Sequence, residues 1–272
     1  MQNVFNIVNY YVILLTPLIL YTLISRMYLV ISATNGKFIN LIFALLLFVL
    51  MTSAFIAGWF NMIKSAVEEQ KQEDANLLIK KFLPGVGEYF LSSTGAFLIS
   101  ILMISLFLLG GYYIGMHTIG DIGISTESFT KAFQTTESIR AFVSSLSVEQ
   151  LIKINMWNLI IISFFGLSQL LIFLYLPALF YKNKNPFIAF YLSLKDLFSK
   201  KIFKTISIFL LIQIANIILS FISALTGSNM ILYFVFTLLN FYFIALVGVG
   251  LFYYYYNNFI KPFIGQNIDI EI

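Results

Sequence analysis

The chain has 272 residues, of which 60% are hydrophobic and only 10% are charged, and its mean hydropathy is +0.92. Soluble globular domains contain about 45–50% apolar and about 25% charged residues, so the composition excludes a water-soluble fold. With no Cys and the single histidine His117, the chain cannot form disulfides, thiolate metal sites or multi-histidine metal sites. The net charge of +4 is small and unevenly distributed, which favours anionic lipid headgroups over nucleic acid as its partner.

Six stretches are long and apolar enough to cross a hydrocarbon core of about 30 Å, which takes about 20 residues of helix. In chain order they cover about residues 8–32, 39–63, 96–116, 154–180, 205–225 and 230–254. Asn35-Gly36-Lys37 and Thr226-Gly227-Ser228-Asn229 predict tight turns after the first and fifth stretches. The sequence therefore predicts an all-α, polytopic integral membrane protein with one transmembrane domain over residues 1–272.

Basic residues predict the orientation of this bundle, because Lys and Arg accumulate in cytoplasmic loops. With the N-terminus inside, the inner side holds eleven of the 16 basic residues and the outer side holds five. The inner residues are Lys64, Lys71, Lys80, Lys81, Lys182, Lys184, Lys195, Lys200, Lys201, Lys204 and Lys261, and the outer ones are Arg26, Lys37, Lys131, Arg140 and Lys153. We therefore expect both termini in the cytoplasm. A residue usage rich in Phe, Ile, Asn, Lys and Tyr indicates an AT-rich bacterial genome, so we expect the membrane to be a bacterial inner (plasma) membrane.

Residues 185–204, between the fourth and fifth stretches, have the pattern of an amphipathic helix that lies in the membrane surface. Asn185 suits the N-cap and Pro186 suits the first helical position. The apolar stripe is Phe187, Phe190, Tyr191, Leu194 and Phe198, and another face carries Ala189, Ser193, Asp196 and Lys200. We expect anionic lipid headgroups to contact Lys195, Lys200, Lys201 and Lys204.

The connector between the second and third stretches predicts a weaker copy of this surface helix. Asp74 is a candidate N-cap, and Pro84, Gly85 and Gly87 are expected to kink or break the helix. Two units of helix, surface helix and helix therefore recur at residues 39–116 and 154–225. The recurrence indicates either a parallel internal duplication or the general tendency of inner loops to be basic and amphipathic.

A short motif runs from the end of the fourth stretch into the following connector. Its residues are Leu176-Pro177-Ala178-Leu179-Phe180, then Asn185-Pro186-Phe187-Ile188-Ala189-Phe190, then Ser193-Leu194-Lys195. The motif resembles a group of uncharacterised bacterial six-span proteins that includes the membrane domain attached to some glycerophosphodiester phosphodiesterases. The resemblance implies a membrane-embedded, non-catalytic module and identifies no substrate.

Polar residues recur within the predicted spans, where buried polar groups need partners. Gln213, Asn216, Ser220 and Ser223 share one helical face of the fifth stretch, and Gln169 and Asn240 lie in the fourth and sixth. One interpretation is a polar path or ligand pocket between these three spans. The other is ordinary interhelical hydrogen bonding, worth about 1 kcal/mol or less per bond.

Arg26 lies close to the end of the first stretch and allows two interpretations. If the membrane span ends near Ser25, the side chain snorkels to the outer interface. If the span continues through Val30, a charge lies within the membrane and requires a partner. The cost of a charge in hydrocarbon, at least about 2.5 kcal/mol, favours snorkelling.

Three local motifs predict structure rather than chemistry. The small-xxx-small elements Ala54–Gly58 and Gly111–Gly115 predict close approach of helix backbones. Ser147-Val-Glu-Gln150 predicts a capping box at the start of the fourth span. His117 and Asp121 lie near one another, but two ligands are too few to predict a metal site.

The chain contains no Walker A, H-E-x-x-H or G-x-S-x-G motif, so we expect neither an enzyme nor a bound cofactor. The sequence predicts a non-catalytic multi-pass protein of the cell envelope that acts through lipid or protein contacts. The alternative is the membrane (permease) subunit of a transporter such as an ABC-type exporter. In that case the helix at residues 185–204 would dock on a separate ATPase.

Overall fold

A computed structural model of the chain describes residues 2–34, 38–69, 75–125, 130, 132, 135–226 and 229–264. Over these residues the chain is almost entirely helical and contains no β-strand. The predicted turn at residues 35–37, the Asp74 cap and the centre of the turn at residues 226–229 lie outside the described residues.

Six of the helices are long and apolar enough to cross a membrane. Spans 1 to 6 are Leu15–Thr34, Phe38–Glu69, Phe82–Thr118, Val148–Ile172, Ile202–Thr226 and Met230–Tyr255. They leave large apolar side chains uncovered, such as Phe221 at 66% and Met230 at 88% exposure. Lipid tails are therefore the solvent for these faces, and the predicted polytopic all-α fold is confirmed.

Shorter helical segments connect or extend the spans. The helix Pro186–Leu197, called the connector helix from here on, lies between spans 4 and 5. The other segments are the α-helices Gln2–Tyr10, Ala75–Leu78, Thr136–Ser145, Tyr175–Tyr181 and Lys261–Ile264, the 3-10 turns Val12–Leu14 and Ile79–Lys81, and the π-helix Tyr256–Ile260.

Prolines explain where the helices depart from regular geometry. For four of the five prolines, the residue four positions earlier lies within an irregular segment. The fifth, Pro186, is the first residue of the connector helix. A proline has no N–H to donate to the carbonyl four residues earlier, and its ring crowds that carbonyl. The pairs are Pro17 with Ile13, Pro84 with Lys80, Pro177 with Phe173, and Pro262 with Asn258.

Two predicted boundaries change as a result. The 3-10 turn Val12–Leu14 separates the helix Gln2–Tyr10 from span 1, which therefore begins at Leu15 and not near residue 8. The break expected from Pro84 occurs at the 3-10 turn Ile79–Lys81, whereas Gly85 and Gly87 cause none, since both lie within the continuous helix Phe82–Thr118. Pro84 occupies the first turn of that helix, where a missing N–H costs little. Most of the predicted first surface helix is thus the start of span 3.

The chain forms two compact units, and the first contains Met1–Ile99 and Leu171–Ile272. Its core is rich in aromatic rings: Phe60 and Phe252 stack at 5.2 Å between centroids, and Tyr89 and Phe180 at 4.3 Å. Trp59 Nε1 donates a hydrogen bond of 2.9 Å to the Leu14 carbonyl, next to the proline-induced turn. This core lies where spans 2 and 6 end and span 3 begins.

The second unit, Ser100–Leu170, confirms two of the local motifs. A Cβ at Gly115 would lie 2.4 Å from the Trp157 ring, so only glycine permits this approach of spans 3 and 4. A Cβ at Gly111 would likewise lie 3.1 Å from the Phe164 ring. The capping box forms as predicted: Ser147 N donates to Gln150 Oε1 at 3.0 Å, and Gln150 N donates to Ser147 Oγ at 3.2 Å.

Candidate functional site

A cavity of about 540 Å³, called the polar cavity from here on, is lined by residues of spans 1, 5 and 6. Its volume lies within the range of about 300–1,000 Å³ that is usual for small-molecule sites. The wall combines apolar side chains with polar ones from all three helices. The polar residues are Thr22, Arg26, Asn216, Ser220, Ser223, Tyr233, Thr237 and Asn240.

Helical spacing and the antiparallel path of the chain bring these residues together. Within each helix the polar residues are three or four positions apart, so they share one face. Spans 5 and 6 are joined through residues 226–229, which sets the last turns of span 5 beside the first turns of span 6. Arg26 lies eight residues before the end of span 1 at Thr34, or about 12 Å along the helix axis. Phe241, which also lines the cavity, packs against the hydrophobic core of the first unit.

Several polar groups of the cavity wall have no protein partner. Thr22 and Thr237 donate to carbonyls of their own helices, Leu18 and Tyr233, each at 2.8 Å. In contrast, Arg26, Asn216, Ser220 and Asn240 form no hydrogen bond or ion pair with the residues that the structure describes. None of the residues lining the cavity is Asp or Glu. Among the residues that the structure describes, the wall therefore carries one positive charge without a counter-charge and several donors without an acceptor.

The cavity includes four of the six predicted polar residues: Asn216, Ser220, Ser223 and Asn240. Gln213 and Gln169 do not line it; both are half-buried and interact with other residues. The sequence predicts a pocket between spans 4, 5 and 6. In the structure the third wall is contributed by span 1 and not by span 4. The contribution of span 1 could have been predicted from Thr22 and Arg26, two polar residues four positions apart in an otherwise apolar helix.

The structure locates Arg26 within the helix of span 1. The helix runs unbroken to Thr34, eight residues beyond Arg26. The Arg26 side chain is exposed and lines the polar cavity.

The opposite end of the first unit carries the connector helix. Its predicted start is confirmed: Asn185 Oδ1 accepts hydrogen bonds from the amides of Phe187 and Ile188, at 3.0 and 3.4 Å, and Pro186 is the first residue. Ala189, Ser193 and Asp196 are buried against the protein. Phe187 and Tyr191 remain 73% and 65% exposed on another face.

A buried ion pair holds the connector helix to the end of span 6. Lys182 Nζ lies 2.8 Å from both carboxylate oxygens of Asp196, and the Tyr255 hydroxyl donates a short hydrogen bond to the same carboxylate. The Lys182 ammonium also lies 5.6 Å from the centre of the Tyr255 ring. Every formal charge in this group is compensated, so the arrangement is structural.

The four lysines predicted to contact lipid divide into two pairs. Lys195 and Lys200 are exposed and have no partner among the described residues. Lys201 donates to the Asn258 carbonyl, and Lys204 donates to Asn258 Oδ1 at 3.3 Å. Asn258 lies in the π-helix Tyr256–Ile260, and the Lys201 ammonium gives its carbonyl a donor from a distant part of the chain.

His117 and Asp121 have separate structural roles. The His117 ring packs edge-on against Tyr113 with centroids 4.4 Å apart. Asp121 Oδ1 accepts a hydrogen bond of 3.1 Å from the Gly123 amide in a turn. No group of three potential metal ligands occurs within the described part of the chain.

The polar cavity and the exposed face of the connector helix are thus the two candidate sites of the first unit. They lie at opposite ends of its spans. No family model, curated protein or solved structure matches this chain, so these two features carry the functional argument.

Proposed function

We propose that this protein is a non-catalytic, multi-pass protein of the bacterial inner membrane, which acts through contacts with anionic lipids at the cytoplasmic face. The observation that supports the proposal is the exposed face of the connector helix. This interpretation also agrees with the resemblance to membrane domains attached to some glycerophosphodiester phosphodiesterases.

The chemistry of that face matches a membrane surface. Phe187, Tyr191 and Lys195 follow one another at intervals of four residues, so they form one stripe along the helix. Aromatic rings favour the headgroup layer, and a nearby lysine contributes about 1 kcal/mol of attraction to an anionic leaflet. The opposite face, with Ala189 and Ser193, is already buried in the protein. The aromatic face is thus directed to lipid, with Lys195 and Lys200 in reach of phosphates.

We expect the double variant Lys195→Gln/Lys200→Gln to retain less anionic lipid than the natural sequence. Two lysines at about 1 kcal/mol each correspond to roughly a 30-fold weaker interaction. The measurement is mass spectrometry of phosphatidylglycerol that co-purifies with the protein in mild detergent.

The charge-matched control is Arg140→Gln/Lys153→Gln, which removes two positive charges far from the connector helix in sequence. We expect this control to retain lipid as the natural sequence does. Lys201→Gln should instead lower thermal stability, because the Asn258 carbonyl loses the hydrogen bond from the Lys201 ammonium. Unchanged lipid retention in the Lys195/Lys200 variant would refute the proposed contact.

The same purification tests the transporter alternative. A permease subunit would use the exposed Phe187 and Tyr191 face to bind a separate ATPase. Recovery of an ATPase in stoichiometric amount, released by substitutions of this face, would replace the lipid proposal by the transporter one.

The orientation makes a separate prediction, with both termini in the cytoplasm. Because the natural sequence contains no cysteine, Lys200→Cys and Met230→Cys each introduce a unique label site, and both positions are exposed. An impermeant maleimide added to intact spheroplasts should label Met230→Cys but reach Lys200→Cys only after lysis. Labelling of both positions from the same side would contradict the proposed threading.

A further inference from the structure

We propose that the polar cavity is a binding site for a phosphate-type oxyanion, held by the Arg26 guanidinium and by the side chains of Asn216, Ser220 and Asn240. This inference is independent of the lipid contact proposed for the connector helix, because the two sites lie at opposite ends of the spans. The polar cavity shares no residue with the connector helix.

The charge of Arg26 is not balanced by any of the residues that the structure describes. Its neighbours in the same helix, Leu23 and Met27, are 56% and 65% exposed. They lie at the same level of span 1, so the surroundings of that level are hydrocarbon once lipid covers them. A guanidinium at this level is unfavourable without a partner. The described residues supply none, and the cavity wall contains no carboxylate. An anionic ligand would provide the missing charge.

The donors around Arg26 are of the type that binds an oxyanion. A guanidinium presents N–H groups in a planar fork that matches two oxygens of a phosphate or carboxylate. The amides of Asn216 and Asn240 add N–H donors, and the Ser220 hydroxyl adds another. These groups have no partner within the described part of the chain, whereas Thr22 and Thr237 are already bonded to their own helices. The free groups are thus the ones that can complement an oxyanion.

The size and the lining of the polar cavity also fit a phosphate-bearing ligand. A cavity of about 540 Å³ exceeds what a single phosphate needs and suits a larger phosphate-bearing group. Leu219, Phe236 and Ile244 also line it, so an apolar part of a ligand has surface to contact. The phosphate could come from inorganic phosphate or from the headgroup of a membrane lipid, and the chemistry of recognition is the same for both.

The test uses the full chain carrying Lys195→Gln/Lys200→Gln, so that lipid bound at the connector helix does not contribute. The protein is purified in a neutral detergent without phosphate. Inorganic phosphate is titrated in one arm and short-chain phosphatidylglycerol in the other, with binding followed by calorimetry and by native mass spectrometry. We expect binding in at least one arm and a loss of tenfold or more on adding Arg26→Gln. Arg26→Lys, which keeps the charge but not the fork, should give an intermediate loss.

The control variant is Arg140→Gln, the same chemical change outside the cavity, and it should leave binding unchanged. If Arg26→Gln does not fold, Asn216→Leu and Asn240→Leu replace it, since each removes an amide and keeps the charge. Binding in the phosphate arm identifies a free anion, and binding in the lipid arm alone identifies a headgroup. The proposal is overturned if neither probe binds, or if binding is insensitive to the cavity variants.

Discussion

Replacing Asp196 by Ala is expected to lower the free energy of unfolding by about 3–5 kcal/mol, the usual cost of removing one partner of a buried ion pair. The Asp196 side chain is 11% exposed and the Lys182 side chain 21%. Without the carboxylate, Lys182 keeps its charge in a largely dehydrated setting, and the Tyr255 hydroxyl loses its acceptor. Reversible denaturant unfolding in detergent micelles measures the loss.

The matched control is Glu88→Ala, because the Lys184–Glu88 pair has the same N–O distance of 2.8 Å with side chains 58% and 45% exposed. We expect a cost of about 1 kcal/mol or less there, since water screens an exposed pair. Equal losses in the two variants would show that burial does not set the value of these pairs. The double variant Lys182→Met/Asp196→Leu should recover part of the loss, because no unpaired charge remains.

Replacing Gly85 by Ala is expected to cost about 1–3 kcal/mol, as overpacking of a close helix contact usually does. A Cβ at this position would lie 2.5 Å from Asn61 Cβ and 2.9 Å from the Ala57 carbonyl oxygen. The second contact is with backbone, which cannot turn away as a side chain can. Spans 2 and 3 would have to separate, and thermal unfolding in detergent should report the change.

Gly87, two residues further along the same helix, is the control. A Cβ there would meet nothing within 4 Å. Gly87→Ala should therefore leave stability unchanged or raise it by about 0.5–1 kcal/mol, through the lower helix propensity of glycine. A similar loss in both variants would mean that glycine matters here for chain flexibility and not for helix contact.

Features that depend on a few neighbouring residues were predictable from the sequence. The number of spans followed from apolar length, and the start of the connector helix from Asn185 and Pro186. The capping box at Ser147 followed in the same way. The 3-10 and π segments could also have been predicted, since each precedes a proline by four residues. These features share one cause, which is that backbone hydrogen bonds within a helix connect residues close in sequence.

The roles of single side chains depended on which helices are neighbours. Gly85 appeared in the sequence as a helix breaker, and it is a contact point with span 2. Lys201 appeared as a lipid ligand, and it bonds to a carbonyl 57 residues later in the chain. In both cases the partner lies in a distant segment, which the local residue pattern does not specify.

The sequence by itself determined the class of protein, the six spans and most helix ends, because apolar length and backbone hydrogen bonding are local properties. Only the tertiary structure decided that span 1 adjoins spans 5 and 6 and that Arg26 shares a cavity with Asn216 and Asn240. Lipid solvates every outward face alike, so apolar pattern alone cannot specify which helices pack together. That choice is made by shape and polar contacts between residues far apart in the chain.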